Sequence, residues 1–152
     1  MALLELSGTP ERPKQSRDLI HIASEPDREF IMDLVREMYP NRDVDKAVPW
    51  VEWCLTNPDR LVLVGTHSFG IASALWHYGF ERHGGMAILC SKPENGSVFE
   101  VLRMVKIMIA WAKEKGCTGD FDLAPDSGVD FEPLARRLGG VRRSVWKIPL
   151  GE

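Results

Sequence analysis

GMAILCSKPENGSVFEVLRMVKIMIAWAKEKGCTGDFDLAP, residues 85–125, is the stretch whose reading decides the fold. MAILC (86–90) is a short apolar run of a strand's length,. A glycine-containing turn, KPENGS, hands over to residues 97–115, where Val98, Phe99, Val101, Leu102, Met104, Val105, Ile107, Met108, Ile109 and Trp111 leave only a narrow polar stripe of Glu100, Arg103 and Lys106. A helix apolar over so much of its circumference is buried on more than one side. Gly116 is its expected stop, and CTGDFDLAP (117–125) reads as a second strand, parallel to the first because a crossover of this length is right-handed,. The turn between strand and helix is a place where unpaired backbone N–H groups face an anion such as phosphate.

Upstream of this unit, residues 1–16 mix Pro, Ser, Gly and charge and read as an N-terminal arm preceding a single domain over 17–152,. DLIHIAS (18–24) is expected to be a strand, and Ser24-Glu25-Pro26-Asp27 starts a helix that carries Phe30, Ile31, Leu34, Val35 and Met38 on one face and stops at Pro40,. KAVPWVEWCLTN (46–57) forms a second helix if Pro49 lies in its first turn,. Trp50, Trp53 and Cys54 then share a face, either packed on a sheet or forming an aromatic wall over a cleft,. RLVLVGT (60–66) and FGIASALWHY (69–78) read as an antiparallel hairpin, and GFERHGG (79–85) as the turn that sends the chain back into MAILC,. Downstream, FEPLARRLGG (131–140) is a short helix ended by glycines, and VRRSVWKIPL (141–150) a last alternating strand.

Composition narrows the function classes. Hydrophobic residues at 44% and charged residues at 27% are those of an ordinary globular domain,. The net charge of −3 offers no excess of positive side chains for nucleic-acid phosphates, so no nucleic-acid partner is expected,. Cys54, Cys90 and Cys117 show no CxxC spacing, the pattern of a reduced, cytoplasmic protein, and no segment reaches the ~18 apolar residues of a membrane span,. His21, His67, His77 and His83 form no HxxxH or Cys/His cluster, so no metal site is expected,.

The order strand, two helices, three antiparallel strands, long helix, parallel strand, short helix, strand resembles the GCN5-related N-acetyltransferase (GNAT) superfamily. Two phrases carry the likeness locally: the strand-turn-helix around Gly96, and LARRLGGVRRSVWKI, similar to the family's closing "short helix, Leu-Gly-Phe, strand". The small size and degenerate motifs also resemble GNAT-like proteins carried by bacteriophages. The resemblance implies an α/β GNAT-like (acyl-CoA N-acyltransferase) fold. It also implies transfer of an acetyl group from acetyl-CoA, as co-substrate, to an amine of a small molecule or protein. The alternative is a non-catalytic GNAT-fold binding or structural protein, of viral type, with a degenerate CoA site and a homodimer or protein partner.

In that family a Gln/Arg-x-x-Gly-x-Gly/Ala turn presents backbone N–H groups to the pyrophosphate. The best register here is Pro93 to Val98, with Gly96 on the first glycine, Pro93 on the Gln/Arg position and Val98 on the last small residue. The implied cofactor residues are Leu89 and Cys90 on the strand and Lys92, Asn95, Gly96, Ser97 and Val98 on the turn. Ser97 and Glu100 also have capping-box spacing, which would put a carboxylate where the pyrophosphate sits,. The family's acidic tyrosine is replaced by Ala135. MAILC offers no base, which leaves His77, Tyr78 and Asp122 as catalytic candidates; His77 has the alternative of a surface histidine, and Asp122 of an outward strand residue beside Asp120,. Cys90 has no recognisable histidine and acid partners for a nucleophilic role, and Arg136, Arg137, Arg142 and Arg143 read as solvated charge or a patch for an acidic partner,.

Overall fold

The computed structural model of the protein describes residues 20–92, 97–123, 131–143 and 147–151. Chain order within them is β1 (His21–Ile22), a 3-10 turn (Glu25–Asp27), α1 (Arg28–Met38), a second 3-10 turn (Val44–Ala47), α2 (Val48–Thr56), β2 (Arg60–Val64), β3 (Ser68–His77), β4 (Glu81–Ser91), α3 (Ser97–Glu114), β5 (Cys117–Leu123) and α4 (Glu132–Arg137). The strands make one sheet in sequence order, antiparallel from β1 to β4 and parallel between β4 and β5. This is the expected mixed sheet: a meander followed by one crossover.

Both faces of the sheet are covered, and the strand pattern follows from that. Leu61 and Leu63 of β2 pack with Met104, Val105 and Met108 of α3, whereas Val62 and Val64 pack with Ile31, Leu34 and Val35 of α1 and with Val51 and Cys54 of α2. Successive strand side chains point to opposite faces, so a strand buried on both reads as a continuous apolar run. Glycine lets α3 approach the sheet. A Cβ added at Gly84 would lie 2.9 Å from Ala112 Cβ and 3.2 Å from Phe121 Cδ2, and one at Gly70 would lie 2.5 Å from Met108 Cε.

At the start of α1, the Ser24 N–H donates to Asp27 Oδ2 at 2.9 Å, and the same carboxylate meets His21 Nε2 at 3.1 Å. Pro49 does fall in the first turn of α2. Trp50 and Trp53, however, are not the buried residues of α2. Val51 and Cys54 are the buried pair of α2, and the tryptophans stand 37% and 47% exposed, with the Arg60 guanidinium 5.1 Å from the Trp53 ring.

Two elements differ from the sequence reading. The expected turn over residues 79–85 is short, and β4 already begins at Glu81, with His77 paired to Glu81, Trp76 to Arg82 and Leu75 to His83. Arg82 holds this extension in place. It donates to Lys115 O at the end of α3 (3.1 Å) and to Ala74 O (3.0 Å), and pairs with Asp59. The second difference is the expected last strand: residues 141–143 and 147–150 are not in the sheet, and Val141, Ile148 and Leu150 are 77%, 81% and 102% exposed. Alternation specifies a strand only where one face is buried, and the described part of this segment has none, with Pro149 lacking a donor N–H,.

Replacing Gly84 by Val should push α3 off the sheet, and we predict a loss of about 1–3 kcal/mol in urea unfolding. Unchanged stability would show that the helix does not approach the strand this closely.

Candidate functional site

The sheet is bent at one point. Between β3 and β4 the register passes from Ile71 opposite Ile88 to Ala72 opposite Met86, so Ala87 is an extra residue, a bulge,. The β4–β5 pairing covers Arg82, Gly84, Gly85 and Met86 and goes no further among the described residues. Beyond that point the β5-facing edge of residues 87–91 has no ladder partner among the described residues. Backbone donors and acceptors on such an edge require a partner or water.

The side chains of Leu89 and Cys90 face the two cores, not this edge. Both are fully buried, Leu89 against α3 and Cys90 in the core under α1 and α2, so only their backbone is available. Burial also pushes the Cys90 thiol up to about 12, which disfavours the thiolate that a nucleophile needs,.

At the start of α3, the expected capping box does not form. Glu100 is 1% exposed, and its two carboxylate oxygens accept from Thr66 N at 2.9 Å and His67 N at 2.8 Å in the β2–β3 connection. The space it fills is that of a missing side chain: a Cβ on Gly65 would lie 2.5 Å from Glu100 Cδ. With both oxygens turned toward this connection, the carboxylate does not occupy the helix terminus. Ser97 is buried, Val98 and Phe99 are exposed at 74% and 68%, and Asn95 and Gly96 lie outside the described residues. The Lys92 amine sits 3.6 Å from Glu37 Oε1 of α1, while its backbone N–H donates to His67 O at 2.8 Å.

The catalytic candidates lie on the sheet face shared with α1 and α2, past the helices. Phe121 and Leu123 of β5 pack toward α3, so Asp122 points the other way. Its register partner is Gly85, itself opposite Ser73. The structure brings Asp122 together with His83, which lies in β4 and not in a turn: His83 Nε2 is 3.7 Å from Asp122 Oδ2. His77 stands beside them, its ring centroid 5.5 Å from that of His83 and 4.4 Å from that of Tyr78. Tyr78 itself is in the β3–β4 turn, 84% exposed with φ 51. No local sequence signal marks His83 as a strand residue, because the contacts that draw the segment into β4 are made by Arg82 with distant partners. A cavity of about 540 Å³ walled by Trp76, Phe80, Arg82 and Lys115 lies at the opposite end of β4, under the end of α3, away from the bulge.

We predict that Glu100→Ala costs about 1–3 kcal/mol by leaving two backbone N–H groups without their acceptor. Gly65→Ala should cost a similar amount by displacing the carboxylate. Urea unfolding measures both, and wild-type stability in either would contradict the buried contact. Ellman's reagent at pH 8 should leave Cys90 unmodified until the protein unfolds; rapid labelling in the native state would contradict its burial.

No family model and no curated protein matches the sequence. Solved structures do match in fold. An aminoglycoside antibiotic 6'-N-acetyltransferase from Acinetobacter baumannii is 20% identical over 87% of this chain and 98% of its own, with a TM-score of 0.66. A second, from Acinetobacter haemolyticus, is 17% identical over 88% and 97%, with a TM-score of 0.68. A predicted acetyltransferase from Clostridium acetobutylicum, solved with acetyl-CoA, is 15% identical over 86% and 94%, with a TM-score of 0.67. At these identities the likeness establishes architecture: the chain has the GCN5-related N-acetyltransferase fold.

Proposed function

We propose that the protein is an acyl-CoA-dependent N-acyltransferase, with acetyl-CoA as donor and an amine as acceptor. The observation that carries this reading is the bulge of β4 at Ala87 beside a helix start whose first-turn carboxylate is turned away. A strand edge with no ladder partner among the described residues suits the amide-bearing arm of CoA, and the N–H groups of the first turn of an 18-residue helix suit its pyrophosphate,. The backbone of residues 87–91 and the first turn of α3 would hold the donor, which supplies an acyl group activated as a thioester. Lys92 adds little charge there, because its amine faces Glu37. The solved relatives support the same reading, since structures of this fold carry acetyl-CoA or a CoA-linked acetylneamine analogue. Fold alone does not assign the activity: one similar structure is that of a transcriptional regulator,.

For the acyl step, the chain's own contribution is positional. The edge N–H groups near Ala87 are the donors available for the thioester oxygen, as expected of an oxyanion site built from backbone. Ala135, in α4, brings no hydroxyl, so the departing sulfur takes its proton through water.

Acetyl-CoA at about a hundredfold excess over its Kd should stabilise the fold by about 2.7 kcal/mol, read as a rise in Tm, and should give a calorimetric isotherm. Neither heat nor stabilisation at millimolar acetyl-CoA would discard the reading and favour a binding protein that has kept the fold without the donor site.

A further inference from the structure

The turn between β3 and β4 does more than reverse the chain. Tyr78 and Gly79 both have positive φ, 51° and 76°, and the Phe80 N–H closes the turn on His77 O at 3.0 Å. Two such residues in succession make the tight turn that matches the twist of a hairpin. It returns Phe80 toward Trp76, and the two rings, with the end of α3 and the start of β5, wall the cavity of about 540 Å³. That volume is within the range of small-molecule sites. Trp76 is 62% and Phe80 89% exposed, so both rings are open to a ligand.

Two side chains of opposite charge, Glu81 and Lys115, line the same cavity, and neither makes an ion pair among the described residues. The Lys115 amine has the Trp111 ring beside it, at 6.0 Å. Arg82, the third charge in the wall, is already engaged: it donates to Lys115 O and Ala74 O, pairs with Asp59 and lies 5.4 Å from the Trp76 ring. Arg82 therefore shapes the wall, and Glu81 and Lys115 are the charges left for a ligand. A ligand with a single charge would be attracted by one of them and repelled by the other, whereas a zwitterion suits both. Between two aromatic rings, a third ring finds the offset and edge contacts that such groups prefer.

We propose that this cavity binds a free aromatic α-amino acid, its ammonium on Glu81, its carboxylate on Lys115 and its ring against Trp76 and Phe80. The site is distinct from the donor site. Ala87 lies five residues beyond Arg82, roughly 17 Å of strand. Arg82 also reaches the end of α3, so it faces the side of the sheet opposite to its neighbour His83,. The proposal is thus independent of the acyl-transfer reading.

The test follows the indole N–H of Trp76 by nitrogen-15 NMR, identified by its loss in Trp76→Phe, as L-phenylalanine is added to the full chain. The resonance should move saturably with a Kd of about 1 mM or tighter. Phenethylamine, which lacks the carboxylate, and 3-phenylpropionate, which lacks the ammonium, should each bind at least about tenfold more weakly. Lys115→Met should remove the advantage of phenylalanine over phenethylamine, and Glu81→Gln its advantage over 3-phenylpropionate. Glu81 is exposed and Lys115 half-buried, and an amide spectrum unchanged away from the cavity shows that both variants fold. Weaker or absent binding of phenylalanine, singly charged analogues that bind as well as it does, or variants that discriminate as the wild type does would each overturn the site.

Discussion

A carboxylate taken out of water must find hydrogen-bond donors or it destabilises the fold by several kcal/mol, and Glu100 meets this condition in a way that organises its surroundings. Its two oxygens are held by backbone N–H groups 34 and 33 residues away in sequence, in the connection between β2 and β3. The same connection accepts a hydrogen bond from Lys92, and Ser68 next to it bonds Ser91 hydroxyl to hydroxyl at 2.8 Å. The end of β4, the start of α3 and the β2–β3 connection are thereby one assembly. The space for it exists because position 65 is glycine. The carboxylate of this first-turn residue is turned to the β2–β3 connection. It anchors the terminus from behind.

That anchoring places the two halves of β4 in different roles. The half that follows Ala87 ends inside the Glu100 assembly, and its outer backbone edge has no ladder partner among the described residues. The half that precedes it is tied down by Arg82, which bonds to carbonyls of β3 and α3 and pairs with Asp59. On the latter half the glycines at 84 and 85 serve opposite faces: one admits α3, the other leaves the polar face uncovered beside Asp122.

Much of this architecture was legible in the residues. The continuous apolar run of β2, the apolar circumference of α3 and the glycine after it, and the acid-rich start of α1 each name their element without help, because burial on two faces and helix termini leave strong local marks. What misled was anything whose meaning depends on a distant partner. Ser97 and Glu100 have the spacing of a local cap, and only the missing side chain at Gly65 reveals where the carboxylate goes. GFERHGG carries turn composition, yet Arg82 has its acceptors on β3 and α3 and draws the segment into a strand, taking His83 with it. The tryptophans of α2 outweigh Val51 and Cys54 in bulk but not in placement. In VRRSVWKIPL alternation suggested a strand that the described residues do not form.

The single extra residue at Ala87 is a shift of phase within one strand. Ahead of it the odd-numbered positions, 83 and 85, look toward the polar face beyond α1 and α2; behind it that side belongs to the even-numbered Ile88 and Cys90. A chain lacking Ala87 would restore an unbroken two-residue rhythm, and would do so by exchanging the sides of Leu89 and Cys90 or of His83 and Gly85. The fold can therefore tolerate insertions in its outer loops far better than the loss of this one small residue, whose side chain touches little and whose presence keeps an apolar half-strand and a polar half-strand in register with different neighbours.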